Sequence, residues 1–101
     1  MGHAQSAAAS EVRRVIWTDE AAEDLDGILS YIAQFNPLAA QRLGAKLTTT
    51  AATLSEHAER GRPVAGGDRE LTVVWPYILR YHIDGDAVVV FRCRHGAREP
   101  D

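Results

Sequence analysis

Apolar residues recur at Ala21, Ala22, Leu25, Ile28, Leu29, Ile32 and Phe35, the i, i+3, i+4, i+7 spacing of one helical face. Thr18 stands ahead of this stripe with Asp19, Glu20 and Glu23 behind it. A hydroxyl can cap a helix N-terminus, and acids suit the positive end of the helix dipole, so a first helix is predicted from about Asp19 to Phe35. Asn36-Pro37 then punctuates the chain. Asn is a good N-cap, Pro fits the first helical position, and a residue before Pro is pushed out of the helical region. A second helix follows through Ala40, Leu43, Leu47, Ala51 and Leu54 to about His57. So short a link folds the two helices back as an antiparallel hairpin. Gly27 and Gly44 each cost their helix about 1 kcal/mol relative to Ala, and the pattern alone accounts for neither.

The flanking segments alternate instead. Residues 13–17 (RRVIW) form a short β-like run ahead of the hairpin. Gly61-Arg62-Pro63 ends the helical region and residues 65–68 form a loop. Strands are predicted over 69–74, 77–83 and 87–94, with a bend at Trp75-Pro76 and a hairpin turn at Asp84-Gly85. A two-residue turn there sets Tyr81 opposite Val88, Arg80 opposite Val89 and His82 opposite Ala87. Alternation then gathers Arg80, His82, Phe91, Cys93 and His95 on one sheet face, and Tyr77, Tyr81, Arg92 and Arg94 on the other. A one-residue bulge would exchange these partners. The order β-α-α-β-β-β describes an α+β two-layer domain, an antiparallel helix hairpin on a small, mainly antiparallel sheet.

Composition narrows the class. The chain has 101 residues, 46% hydrophobic and 25% charged, which is one globular domain's worth. Residues 1–11 read as a flexible tail and 12–101 as the domain. One cysteine excludes an internal disulfide framework and a cysteine-based zinc site. The histidines lack ligand-like spacing, so no metal or other cofactor is expected. No apolar run is long enough to span a bilayer. Residues 1–10 lack a signal peptide's basic start and apolar centre, which with the single thiol points to the cytoplasm.

The net charge is −3, unlike the basic proteins that bind nucleic acid by neutralising phosphate. Charge is unevenly placed. Residues 1–59 carry four cations against eight acids, whereas residues 60–101 carry seven arginines against six acids. Arginine suits bidentate contacts with carboxylate or phosphate.

That late cluster admits a chemical reading. Metal-free RNA cleavage needs a base for the 2′-OH, cations for the developing phosphorane charge, and an acid for the leaving oxygen. His82 or His95 could move protons, and Arg80, Arg92 or Arg98 could clamp phosphate. Tyr77 and Tyr81 could stack bases. The alternative makes the charged groups solvated sheet-face residues, the tyrosines core residues with a wet hydroxyl, and Cys93 a buried small hydrophobe.

The strand into Trp17, "AAEDLDGILSYIAQFNPLAA" at 21–40, "GRP" at 61–63, "REL" at 69–71, "YILRYHIDGD" at 77–86 and "VVVFRCRHGAREP" at 88–100 together resemble the RelE/ParE superfamily of type II toxin–antitoxin toxins. The resemblance implies a growth-inhibiting toxin of the kind tied to plasmid stabilisation. A cognate antitoxin would wrap it with an extended, partly helical segment, in a toxin–antitoxin heterotetramer. RelE-like members cleave messenger RNA in the ribosome; ParE-like members inhibit DNA gyrase without acting as nucleases. The "HGAREP" ending, the acidic net charge and the lack of Tyr or Lys after Tyr81 lean toward the ParE side.

By motif, Arg62, Arg69, Tyr81, Arg92, His95 and Arg98 match signature positions. The resemblance leaves Arg80, His82, His95 and Arg98 as catalytic candidates. Arg62, Arg69, Tyr77, Tyr81, Arg92 and Arg94 are candidates for target or antitoxin contact. An architectural role is open as well, with Arg69 or Arg98 pairing with Asp24 or Glu70 to tie sheet to helices.

Overall fold

The computed structural model describes residues 12–96; the tail expected over 1–11, and Arg98, lie outside them. Strand β1 (Arg14–Trp17) leads into helix α1 (Asp19–Ala33) and helix α2 (Pro37–Ala52). A 3₁₀ turn (Thr53–Ser55) closes α2. Then come a two-residue strand β2 (Arg62–Pro63), a 3₁₀ turn (Ala65–Gly67), β3 (Arg69–Val74), β4 (Tyr77–Asp84) and β5 (Ala87–His95).

Both helices start where the caps predict. The Thr18 side chain accepts from Ala21 N at 3.1 Å, and Asn36 Oδ1 accepts from Ala39 N at 3.0 Å with Pro37 in the first turn. Each bond satisfies an N–H that has no partner inside its helix. Asn36→Ala is therefore expected to cost about 1 kcal/mol and to lower the midpoint of thermal unfolding by roughly 4–8 °C, measured by circular dichroism.

The helices fold back as the hairpin predicted. Gly44 finds its reason here: a Cβ at that position would lie 3.0 Å from Leu29 Cδ1, so the glycine lets α1 and α2 approach. Ala21, Leu47, Ala51 and Leu54 point from the helices into a core shared with Leu79, Tyr81, Val88 and Val90 of the sheet. Each of these eight is fully buried. The sheet order is β1-β5-β4-β3-β2, with β1 parallel to β5 and every other pairing antiparallel. The helices cover one face of it.

Two expectations fail in the register. The β4–β5 turn is Gly85-Asp86, not Asp84-Gly85, because Asp84 remains in the strand opposite Ala87. Gly85 takes φ +60° as the first of the two turn residues, the glycine-first pattern of a type II′ turn. Tyr81 thus pairs with Val90 rather than Val88, and His82 with Val89 rather than Ala87. Beyond this point Arg80 pairs with Arg92, which leaves Phe91 as an extra residue in β5. This bulge reverses the alternation that follows. Cys93 and His95, expected beside Arg80 and His82, instead join Leu79 and Tyr77 on the helix-covered face. Arg94, expected beside the tyrosines, moves to the open face with Arg80.

Phe35 is a third correction. The helical stripe counted it toward the core, yet it is 72% exposed, since α1 ends at Ala33 and Phe35 sits in the turn at the hairpin tip.

Candidate functional site

On the open sheet face one carboxylate organises the late arginines. Glu70 of β3 is only 5% exposed. Its Oε1 accepts from Arg62 at 3.2 Å, and its Oε2 accepts from Arg94 at 3.1 Å and lies 3.6 Å from Arg80. β-pairing sets Glu70 directly across from both Arg62 and Arg80, and the bulge delivers Arg94 to the same face. Asp68 adds a second carboxylate, 3.7 Å from Arg80 and 4.0 Å from His82. His82 leans on Phe91, with ring centroids 5.4 Å apart. Three guanidinium groups therefore face two acids, and the most enclosed of them, Arg94, sits with its side chain 10% exposed. Charges taken this far out of water must be matched inside the protein.

The covered face holds a different set. Tyr81 is fully buried; its hydroxyl donates to Ala58 O at 2.7 Å and accepts from Gly61 N at 2.8 Å. Burial raises its pKa above the ordinary tyrosine value. It anchors the loop before β2 with its side chain fully buried. Arg69 donates to Gly61 O at 2.7 Å and Glu59 O at 3.4 Å, bracing that loop rather than meeting Asp24 or Glu70. Arg92, on the bulge, reaches Asp24 of α1 at 2.8 Å, and the same Asp24 oxygen accepts Cys93 N at 3.0 Å. Among the described residues Arg92, not Arg69, makes a tie of the expected kind between helix and sheet. His95 packs edge-on against Tyr77 at 5.3 Å.

The two histidines therefore lie on opposite faces of the sheet and cannot serve one phosphate as base and acid. Arg80, which faces Asp68 together with His82, also faces Glu70. Of the expected catalytic candidates among the described residues, Arg80 and His82 share the open face and His95 lies on the covered one.

Cys93 is 2% exposed, and burial with Asp24 nearby pushes its thiol up to about 12. A thiol reagent at pH 8 is expected to modify it only as the chain unfolds, with labelling that follows the denaturation curve.

Two surface features went unread in the sequence. At the hairpin tip Tyr31, Phe35 and Leu38 are 52%, 72% and 52% exposed, with the two rings edge-on at 5.4 Å. An open groove of about 400 Å³ runs between α1 and the ends of β4 and β5, lined by residues that include Glu23, Gly27, Tyr31 and Tyr77. The lone signal for it was Gly27, placed off the apolar stripe of α1. Among the described residues no cluster of His, Cys, Asp and Glu is arranged to hold a metal ion, and no helix is long and apolar enough to cross a membrane.

Comparison with known proteins places this architecture. A family described as the ParE toxin of the parDE type II toxin–antitoxin system matches residues 15–100. Toxin RelE2 of Caulobacter vibrioides is 48% identical over 85 residues, covering 84% of this chain and 97% of that protein. Toxin RelE1 of the same organism is 31% identical over 88 residues, covering 84% and 95%. Among solved structures, a chain of the chromosomal ParDE system of P. aeruginosa superposes with a TM-score of 0.77 at 26% identity, over 85% of this chain and 98% of that one. A chain of the E. coli DinJ–YafQ complex, at 18% identity and a TM-score of 0.60 over 88% and 98%, shares the fold.

Proposed function

This chain belongs to the ParE toxin family and is the toxin of a type II toxin–antitoxin system, and from that premise we propose that it arrests growth by binding DNA gyrase rather than by cutting RNA. One observation carries the choice. Of the arginines that could clamp a phosphorane, Arg80 lies 3.6 Å from Glu70 on the open sheet face and Arg92 is held by Asp24 of α1 at 2.8 Å. A phosphate could take Arg80 only by displacing Glu70, a carboxylate that is itself buried, an exchange that leaves a buried charge unmatched. The separation of His82 from His95 by the sheet supports the same reading. A toxin of this kind works by occupying its target, in the cytoplasm where gyrase acts on DNA.

The family implies a cognate antitoxin as partner. The exposed aromatic tip of the hairpin, Tyr31 and Phe35, supplies the sort of apolar surface on which a partner segment folds. We place the resting complex as a heterotetramer of two toxins and two antitoxins, which light scattering on the co-purified pair measures.

The test is induction of the toxin without its antitoxin, with plasmid topology and translation followed separately. Relaxed or cleaved plasmid with continuing translation is the expected outcome. Early loss of full-length messenger RNA with supercoiling intact would favour ribosome-dependent cleavage, the activity the resemblance assigns to RelE-like members. Normal growth would mark a non-toxic interaction module of the same fold.

A further inference from the structure

Gly27 stands in the interior of α1, where a glycine weakens the helix, and a Cβ there would meet no atom within 4 Å. Close packing therefore does not explain it, in contrast to Gly44. Gly27 lines the groove of about 400 Å³ between α1 and the ends of β4 and β5, with free space in front of it. The groove walls include two aromatic rings, Tyr31 and Tyr77. Two carboxylates stand on the α1 side. Asp24 is engaged by Arg92 and by Cys93 N. Glu23, one turn before Gly27, is exposed and has no ion pair among the described residues. The guanidinium of Arg94, which also lines the groove, is engaged by Glu70.

Aromatic walls beside an unmatched carboxylate are complementary to a long cationic side chain. The stem lies along the rings, the charged head meets the ring faces and the acid, and water leaves the apolar walls. The charge of α1 agrees, since this helix carries five acids and no lysine or arginine. We propose that the Gly27 groove receives an arginine or lysine side chain of the antitoxin, with Glu23 as its counter-ion. The proposal rests on the antitoxin-bound reading above and adds the chemistry of one contact to it.

The experiment uses the full-length toxin and the purified antitoxin encoded beside it, with Kd measured by calorimetry at two salt concentrations. Glu23→Lys reverses the charge of the rim, and Gly27→Leu fills the groove. Gly27→Ala, which adds only a methyl in open space, controls for helix stability and should leave the thermal midpoint unchanged or higher. Each of the two disrupting variants is expected to weaken binding about tenfold or more. The loss from Glu23→Lys is expected to shrink when one antitoxin arginine or lysine is replaced by glutamate, and that restoration identifies the occupant. Wild-type affinity in both Glu23→Lys and Gly27→Leu overturns the groove proposal while the antitoxin reading stands. Should Gly27→Leu fail to fold, Glu23→Lys and its charge-swapped partner decide the question alone. A wild-type toxin that does not bind the antitoxin at all overturns the partner reading and the groove with it.

Discussion

Glu70→Gln is expected to destabilise the chain by about 3 kcal/mol, read from urea unfolding curves. The substitution keeps the side chain's volume and removes its charge. Arg94, with 10% of its side chain exposed, and Arg80 then lose the carboxylate oxygen 3.1 and 3.6 Å from them. Removing one member of a buried ion cluster exposes the full desolvation cost of the others, which is why the effect far exceeds that of a surface pair. Arg62 contributes little to the loss because its side chain is 72% exposed and water can replace Glu70. A matched change is the diagnostic comparison. Glu70→Gln combined with Arg94→Met removes both the acid and its most enclosed partner, and should recover a large part of the loss. If Glu70→Gln were neutral, the arginines would not depend on it, and the argument that they are occupied by the fold would fail.

Tyr81→Phe is expected to cost about 2–3 kcal/mol, from the loss of two buried hydrogen bonds at one hydroxyl. Ala58 O would lose its donor and Gly61 N its acceptor. Both are backbone groups that the loop before β2 cannot re-pair without moving. Tyr81→Ala is expected to cost about 3–5 kcal/mol, since it also leaves a cavity beside Leu79 and Val90. Gly61 belongs to the same lock: a Cβ there would fall 2.7 Å from the Tyr81 hydroxyl and 2.9 Å from Glu70 O. Hydrogen exchange separates local from global loosening. In Tyr81→Phe the amides around Gly61 should lose protection more than those of α2. Uniform loss across the chain would instead mean that the hydroxyl stabilises no particular segment.

Much of the fold was legible because it is written in local chemistry. Thr18 and Asn36 cap helices wherever a stripe follows them, and the Asn-Pro link forces the hairpin by its brevity. The three long strands follow from alternation. What was not legible depends on one-residue choices that local preference hardly distinguishes. Asp84-Gly85 signals a turn but does not say which two residues occupy it, and Gly85 serves equally well as the first. The bulge at Phe91 carries no signature of its own, yet it moves Cys93, Arg94 and His95 across the sheet. The edge strand of Arg62 and Pro63 is too short for periodicity to reveal.

The same step decided the candidate site. The right residue types were visible, but their grouping required the register. Arg80 and His82 stayed together, His95 crossed to the covered face, and Arg92 turned to Asp24 instead of phosphate. Glu70, considered from the sequence only as a partner for Arg69 or Arg98, proved to be the centre of the open face with Arg62, Arg80 and Arg94 around it. A glutamate within an alternating strand looks like any solvated position until three arginines are seen to converge on it. Tyr81 follows the core reading open to it in the sequence, with its hydroxyl committed to the backbone at Ala58 and Gly61.

The most direct measurement is gyrase supercoiling in vitro with purified toxin, run beside ribosomes translating a defined messenger RNA. The expected result is that toxin halts supercoiling or traps cleaved DNA, that antitoxin relieves the block, and that the messenger stays whole. Undiminished supercoiling together with codon-positioned cuts in the messenger would contradict it.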